Sequence, residues 1–134
     1  MVSLTSDTLL HRQISPAWTQ RGHVTSQAFK PTSKDERRLS VYDGDQVSAE
    51  ESWKHFTEEL GLTSAGVLAV SVEECESLGL DAEQDPEPFL SHAVILFGGL
   101  SNSQVETKAK ILKRNAVARG WLYKEDPADA DQEE

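Results

Sequence analysis

Residues 65–79 read Ala65-Gly66-Val67-Leu68-Ala69-Val70-Ser71-Val72-Glu73-Glu74-Cys75-Glu76-Ser77-Leu78-Gly79, and this stretch decides the fold. From Ala65 to Val72 the residues are apolar or small, rich in valine and too few for a helix of their own, which is the pattern of a buried strand. Ser71 then stands three residues before Glu74, so a hydroxyl and a carboxylate can cap a helix start reciprocally. Cys75 and Leu78 are three apart before Gly79, which predicts a short helix leaving the strand.

Downstream, Leu80 to Pro88 is acidic and broken by proline, so it reads as a loop. His92 to Phe97 is a second buried strand, stopped by Gly98-Gly99. Ser101 to Arg119 is the longest helix, opened by a Ser101/Gln104 capping box and closed by Gly120, with Val105, Ala109, Leu112 and Ala116 on its core face. Trp121-Leu122-Tyr123 reads as a closing strand. Upstream, Ser48 and Glu51 form another capping box. Trp53, Phe56 and Leu60 follow at helical spacing before Gly61, so Trp53 and Phe56 are expected to be buried. The first 45 residues hold three candidate strands, Leu9–Ile14, Val24–Phe29 and Arg38–Tyr42. The fold class is therefore α+β: one small domain over residues 1–124, a mostly antiparallel sheet and two main helices. Residues 125–134 contain no large apolar side chain and are expected to form a flexible acidic tail.

A chain of 134 residues with 37% hydrophobic content suits one soluble domain with a core that needs no staples. Its single cysteine, Cys75, cannot form an internal disulfide and fits a reducing compartment. Residues 1–10 contain no basic group, and no run approaches the roughly 18 apolar residues of a membrane helix. The expectation is a cytoplasmic protein without a membrane partner.

The net charge of −10 is unevenly spread. Residues 43–100 carry one basic and thirteen acidic groups, whereas 1–42 and 101–124 are each net basic. Such a balance makes nucleic acid an unlikely partner on average, leaving only the Lys108–Arg119 helix for that role. Internal pairing between the basic segments and the acidic middle accounts for the pattern more simply.

No phosphate loop, zinc spacing or nucleophile elbow is present, and no metal or cofactor is expected. The suggestive region is the N-terminal polar set, because polar groups inside strands are costly when buried without partners. His11, Arg12, Tyr42 and Glu50 are the catalytic candidates. Arg12, Gln13, Ser26, Gln27, Lys30 and Lys34 are candidates for holding an anionic small molecule, with Arg12 as a fork of donors. The competing reading is an open antiparallel sheet with half its side chains in water. Strand alternation places His11 and Gln13 on one face and Leu10, Arg12 and Ile14 on the other. Tyr42-Asp43-Gly44-Asp45 is explained by a turn, and a metal there would need a third oxygen ligand. His55 and His92 read as surface or edge residues, and Cys75 as a small core residue.

His11-Arg12 on an early strand, Ser40-Val41-Tyr42 on a later one and Glu50 or Glu51 after it loosely resemble, in order alone, the ADP-ribosyltransferase-like and related NAD-cleaving toxin domains. There an early strand carries His or Arg, a later one Ser or Tyr, and an acidic residue completes the site. The resemblance covers about forty residues and implies NAD as a substrate. Acidity, small size and the missing catalytic motifs nevertheless favour a small partner-binding or regulatory protein of accessory, immunity or antitoxin type, with another protein as its partner. A small nucleotide- or NAD-processing enzyme is the alternative.

Overall fold

The computed structural model describes residues 4–31 and 37–124; Lys34 and the expected tail at 125–134 lie outside them. The chain is a single α+β domain built on six strands. These are β1 (Leu9–Ile14), β4 (Arg38–Asp43), β5 (Gly66–Ser71), β6 (Asp81–Gln84), β7 (His92–Leu96) and β8 (Tyr123–Lys124). Their order across the sheet is β6-β7-β4-β1-β5-β8, and every neighbouring pair is antiparallel. A separate small hairpin joins β2 (Thr19–Gln20) to β3 (His23–Val24).

The three serine capping boxes are all formed. They open α1 (Ala49–Lys54), α2 (Val72–Glu76) and α3 (Asn102–Arg119). α3 lies across one face of the sheet. Its buried stripe of Val105, Ala109, Leu112 and Ala116 meets Leu10 and Ile14, Leu39 and Val41, Leu68 and Val70, and Ala93 and Ile95, which alternate along their strands. Cys75 belongs to the same core, where burial, then Glu74 and Glu76, push its thiol pKa up to about 12.

α1 covers the opposite face less completely. After Lys54 the helix widens into a π turn over His55–Glu59, with the Leu60 amide bonded to the His55 carbonyl, and the left-handed Gly61 (φ 71°) ends it. Trp53 and Phe56, expected to be buried, are only half-buried. Such a short helix cannot extend over the whole face, and the buried residue it contributes is Ser52.

Two further expectations change. The segment Val24–Phe29 is a strand only at His23–Val24, then a 3-10 turn over Ser26–Phe29. Ala28 and Phe29 are adjacent and both fully buried, which strand alternation on one side of a sheet cannot achieve. The expected loop at 80–88 contains the edge strand β6. Its exposed Asp81 and Glu83 alternate with the half-buried Ala82 and Gln84, and charges of this kind suit an unpaired sheet edge.

Charge pairing follows the segments. Arg38 meets Asp85 at 3.1 Å and Arg119 meets Glu74 at 3.0 Å, joining each basic segment to the acidic middle. The two basic segments also meet each other through Lys30 and Glu106 at 2.9 Å. No helix among the described residues is long and apolar enough to cross a membrane.

Candidate functional site

The sheet face under α1 carries an unusual cross-strand row. The register pairs His11 with Tyr42 and Tyr42 with His92, so three polar rings from β1, β4 and β7 stand side by side on one face. His11 is 4%, Tyr42 4% and His92 8% exposed. Beside them is a cavity of about 190 Å³, roofed by Phe56 of the π turn, by Leu60 and Leu62 just after it and by Phe89 from the loop before β7.

All but one of the polar side chains in the floor have hydrogen-bond partners. Tyr42 Oη lies 2.7 Å from His55 Nδ1, tying β4 to the π turn. Burial raises the Tyr42 pKa above its ordinary value, so the phenol keeps its proton. Phe89 stacks on Tyr42 at 5.0 Å and packs against His55 at 4.4 Å and His92 at 5.1 Å. His92 Nδ1 is 2.9 Å from the Asp85 carbonyl and Nε2 is 3.2 Å from Ser40 Oγ. The Asp85 carboxylate approaches Nδ1 at 3.4 Å but also takes Arg38. This serine, histidine and aspartate bridge β4, β7 and the β6–β7 loop, and the shorter contact to Nδ1 is a backbone carbonyl.

Gln13 is anchored on both ends. Its Nε2 donates to Ser52 Oγ at 3.1 Å, and its Oε1 accepts from Ser64 Oγ at 2.8 Å. It joins β1 to α1 and to the turn before β5, with both its amide nitrogen and its amide oxygen engaged.

His11 differs from all of these. Among the described residues neither of its ring nitrogens makes a hydrogen bond, and Nδ1 is fully buried without a partner. Burial lowers its pKa and the Asp43 charge only partly opposes this, so the imidazole is held neutral. Gly44 makes room for it: a Cβ at that position would lie 2.8 Å from His11 Nε2 and would collide with the Leu9 carbonyl.

The remaining predicted residues are elsewhere. Arg12 contributes to the cavity floor, but its guanidinium bonds the carbonyls of Ala28 at 2.7 Å and Ser40 at 2.8 Å and lies over Trp18 at 4.8 Å. Ser26 and Lys30 bond Glu106, and Lys30 first, then Lys110 and Ser26, keep that carboxyl below its ordinary range. Gln27 and Lys30 line a second, more polar cleft beside the start of α3. Glu50 is exposed and paired with Lys54 at 3.2 Å. The Asp43 carboxylate is filled by the Asp45 amide and by Gln46 and Gln84, as a turn requires. His11, Gln13 and Tyr42 therefore come together, whereas Ser26, Gln27, Lys30 and Glu50 do not join them.

Sequence reasoning set aside His55 and His92 as isolated residues and passed over Phe89. Pairing β4 with both β1 and β7 is the signal that unites them, and it depends on contacts 31 and 50 residues apart, from His11 to Tyr42 and from Tyr42 to His92. No family model, curated protein or solved structure matches the chain.

Proposed function

We propose that this is a partner-binding protein whose docking surface is the apolar rim of the cavity, and that the partner is a basic segment inserting one aromatic side chain. The observation that carries the reading is the placement of exposed leucines. Leu60 (44%), Leu62 (51%) and Leu90 (78%) are large apolar side chains left in water, and the first two roof the cavity while the third follows its Phe89 wall. Exposed apolar groups gathered around a concavity, rather than scattered singly, are characteristic of a contact surface.

Charge and size narrow the partner. The segments bearing the rim also bear exposed Glu58, Glu59 and Glu87. Of the cations near this rim, Arg12 in the cavity lining is engaged with the Ala28 and Ser40 carbonyls, and Lys54 on α1 is paired with Glu50. A partner with lysine or arginine beside its anchor is complementary to this rim. A cavity of about 190 Å³ is smaller than the roughly 300–1,000 Å³ of ordinary small-molecule pockets. It is of the order that accepts a single aromatic ring.

An acetylated Arg-Phe-Arg tripeptide amide, titrated by NMR, should move the methyl signals of Leu60, Leu62 and Leu90. Its Glu-Phe-Glu counterpart should bind at least several-fold more weakly. Leu60→Ser combined with Leu62→Ser should remove the response while each change alters stability by about 0.5 kcal/mol or less. Equal binding of both peptides, or shifts confined to another surface such as Val117 and Trp121, would overturn the proposal.

The NAD-processing alternative keeps one supporting observation, the juxtaposition of His11 and Tyr42 at a cavity of ring size. Under that reading a nicotinamide ring enters while the rest of the dinucleotide lies outside. NAD should then raise the melting temperature of the wild type and leave His11→Leu unmoved. No shift in the wild type would exclude it.

A further inference from the structure

We infer that Ser40 is a nucleophile for acyl transfer, with His92 as its general base and Asp85 positioning that base, and that the substrate is a small aryl ester whose ring enters the cavity. The inference goes beyond the docking reading and does not depend on it.

Its basis is the direction of the hydrogen bonds that link β4, β7 and the loop between β6 and β7. The imidazole of His92 meets two acceptors at Nδ1, the Asp85 carbonyl at 2.9 Å and the Asp85 carboxylate at 3.4 Å. A neutral ring in that setting carries its N–H on Nδ1 and leaves Nε2 as a bare acceptor. Ser40 Oγ stands 3.2 Å from Nε2 and, among the described residues, has no other partner. The serine hydroxyl therefore donates to the imidazole. Arg38, at 3.1 Å, holds the Asp85 carboxylate in turn. A hydroxyl bonded to a histidine whose other nitrogen faces a carboxylate is the arrangement that activates a weak nucleophile.

The placement of the pair allows it to act. Leu39 and Val41 point into the core under α3, so strand alternation turns Ser40 and Tyr42 to the face that bears the cavity. Ser40 and His92 both line it. Ser40 is exposed whereas His92 is largely buried, so the nucleophile can be reached while its base is shielded from water.

The cavity also narrows the substrate. Phe56, Leu60, Leu62 and Phe89 give it apolar walls, and its volume of about 190 Å³ is of the order of one aromatic ring. A phenol ester fits this space, and a phenolate departs readily, so the reaction asks for little beyond a nucleophile and a base. Oγ attacks the ester carbonyl carbon as its proton passes to Nε2. The bond from that carbon to the phenol oxygen breaks, the phenolate takes the proton from Nε2, and the acyl group stays on Oγ. Water then attacks the acyl carbon, its proton passing through Nε2 to Oγ as the carboxylic acid leaves.

The test uses p-nitrophenyl acetate, with p-nitrophenol release followed by stopped flow and the acetylated residue located by peptide mass spectrometry. The wild type should release about one equivalent in a fast phase, leaving the acetyl group on Ser40. Ser40→Ala should lose that phase, and His92→Gln should slow it on the order of 100-fold. Asp85→Asn keeps the backbone carbonyl at Nδ1 and should lower kcat several-fold with KM unchanged; an unchanged kcat would overturn the positioning role. Should His92→Gln fold poorly, diisopropyl fluorophosphate applied to the wild type replaces it, and the phosphoryl group should be found on Ser40. No fast phase in the wild type, acetylation confined to other residues, or an equal rate in Ser40→Ala would overturn the inference. None of these outcomes bears on the docking reading, which is followed through the leucine methyl signals.

Discussion

The two faces of the sheet are made by the same strands yet are finished differently. Under α3, an eighteen-residue helix presents four buried positions in a continuous stripe, and the strands answer with leucine, isoleucine, valine and alanine. Under α1, a six-residue helix followed by a π turn meets histidine, glutamine, serine and tyrosine, and a cavity remains. The length of the covering helix explains much of the contrast. A helix of eighteen residues spans about 27 Å at 1.5 Å per residue and can seal a face against water, whereas six residues span about 9 Å. The sealed face supplies stability, and the unsealed one leaves a cavity with an exposed apolar rim.

The sharpest test of that division compares two truncations. Leu112→Ala under α3 removes a fully buried side chain and should cost about 2–5 kcal/mol in urea unfolding. Phe56→Ala under α1 removes a larger but half-buried ring and should cost only about 1–2 kcal/mol, because much of its area is already in water. Equal losses would mean that the second face is packed as a core.

A smaller effect is expected where the polar face is stitched together. Gln13→Leu leaves Ser52 and Ser64 without the amide they share and should destabilise by about 1–3 kcal/mol. Combined with Ser64→Ala the loss should be less than additive, since both changes break the same network. Strict additivity would show that Gln13 does not couple the roof to the sheet.

The mildest effect is a pH dependence. Burial holds the folded-state pKa of His11 below the 6.5 of an exposed imidazole. Below about pH 6.5 the unfolded chain therefore takes up a proton that the folded protein refuses, and stability falls as the pH drops towards the folded value. Above pH 6.5 both states are neutral and the contribution is constant. His11→Leu should flatten the decline in melting temperature between pH 7 and 5 while changing stability little at pH 8, because the removed ring has no hydrogen bond to lose. An unchanged slope would show that His11 is not the group responsible.

Much of this architecture can be read from local signals. Capping depends on residues three apart, so the serines at 48, 71 and 101 announce all three helix starts. The stripe on α3 follows from its 3.6-residue period, and the runs at 66–71 and 92–96 are too short and apolar to be anything but buried strands. The edge strand β6 was hidden because its residues are polar and its pairing comes wholly from β7. The 3-10 turn at Ser26–Phe29 was hidden because β-branched and aromatic residues suggested a strand, while the core required two adjacent side chains on one side.

The sequence by itself determined the three helix starts, the buried strands at 66–71 and 92–96, the core face of α3 and the side of β1 on which His11 and Gln13 lie, because each depends on spacings within one element. Only the tertiary structure decided that His11, Tyr42 and His92 form a row, that His55 closes onto Tyr42, and that Ser26, Gln27 and Lys30 belong to another surface. The register of antiparallel strands is set by burying one whole face at once, and a slip of a single residue would turn every ring in that row to the other side.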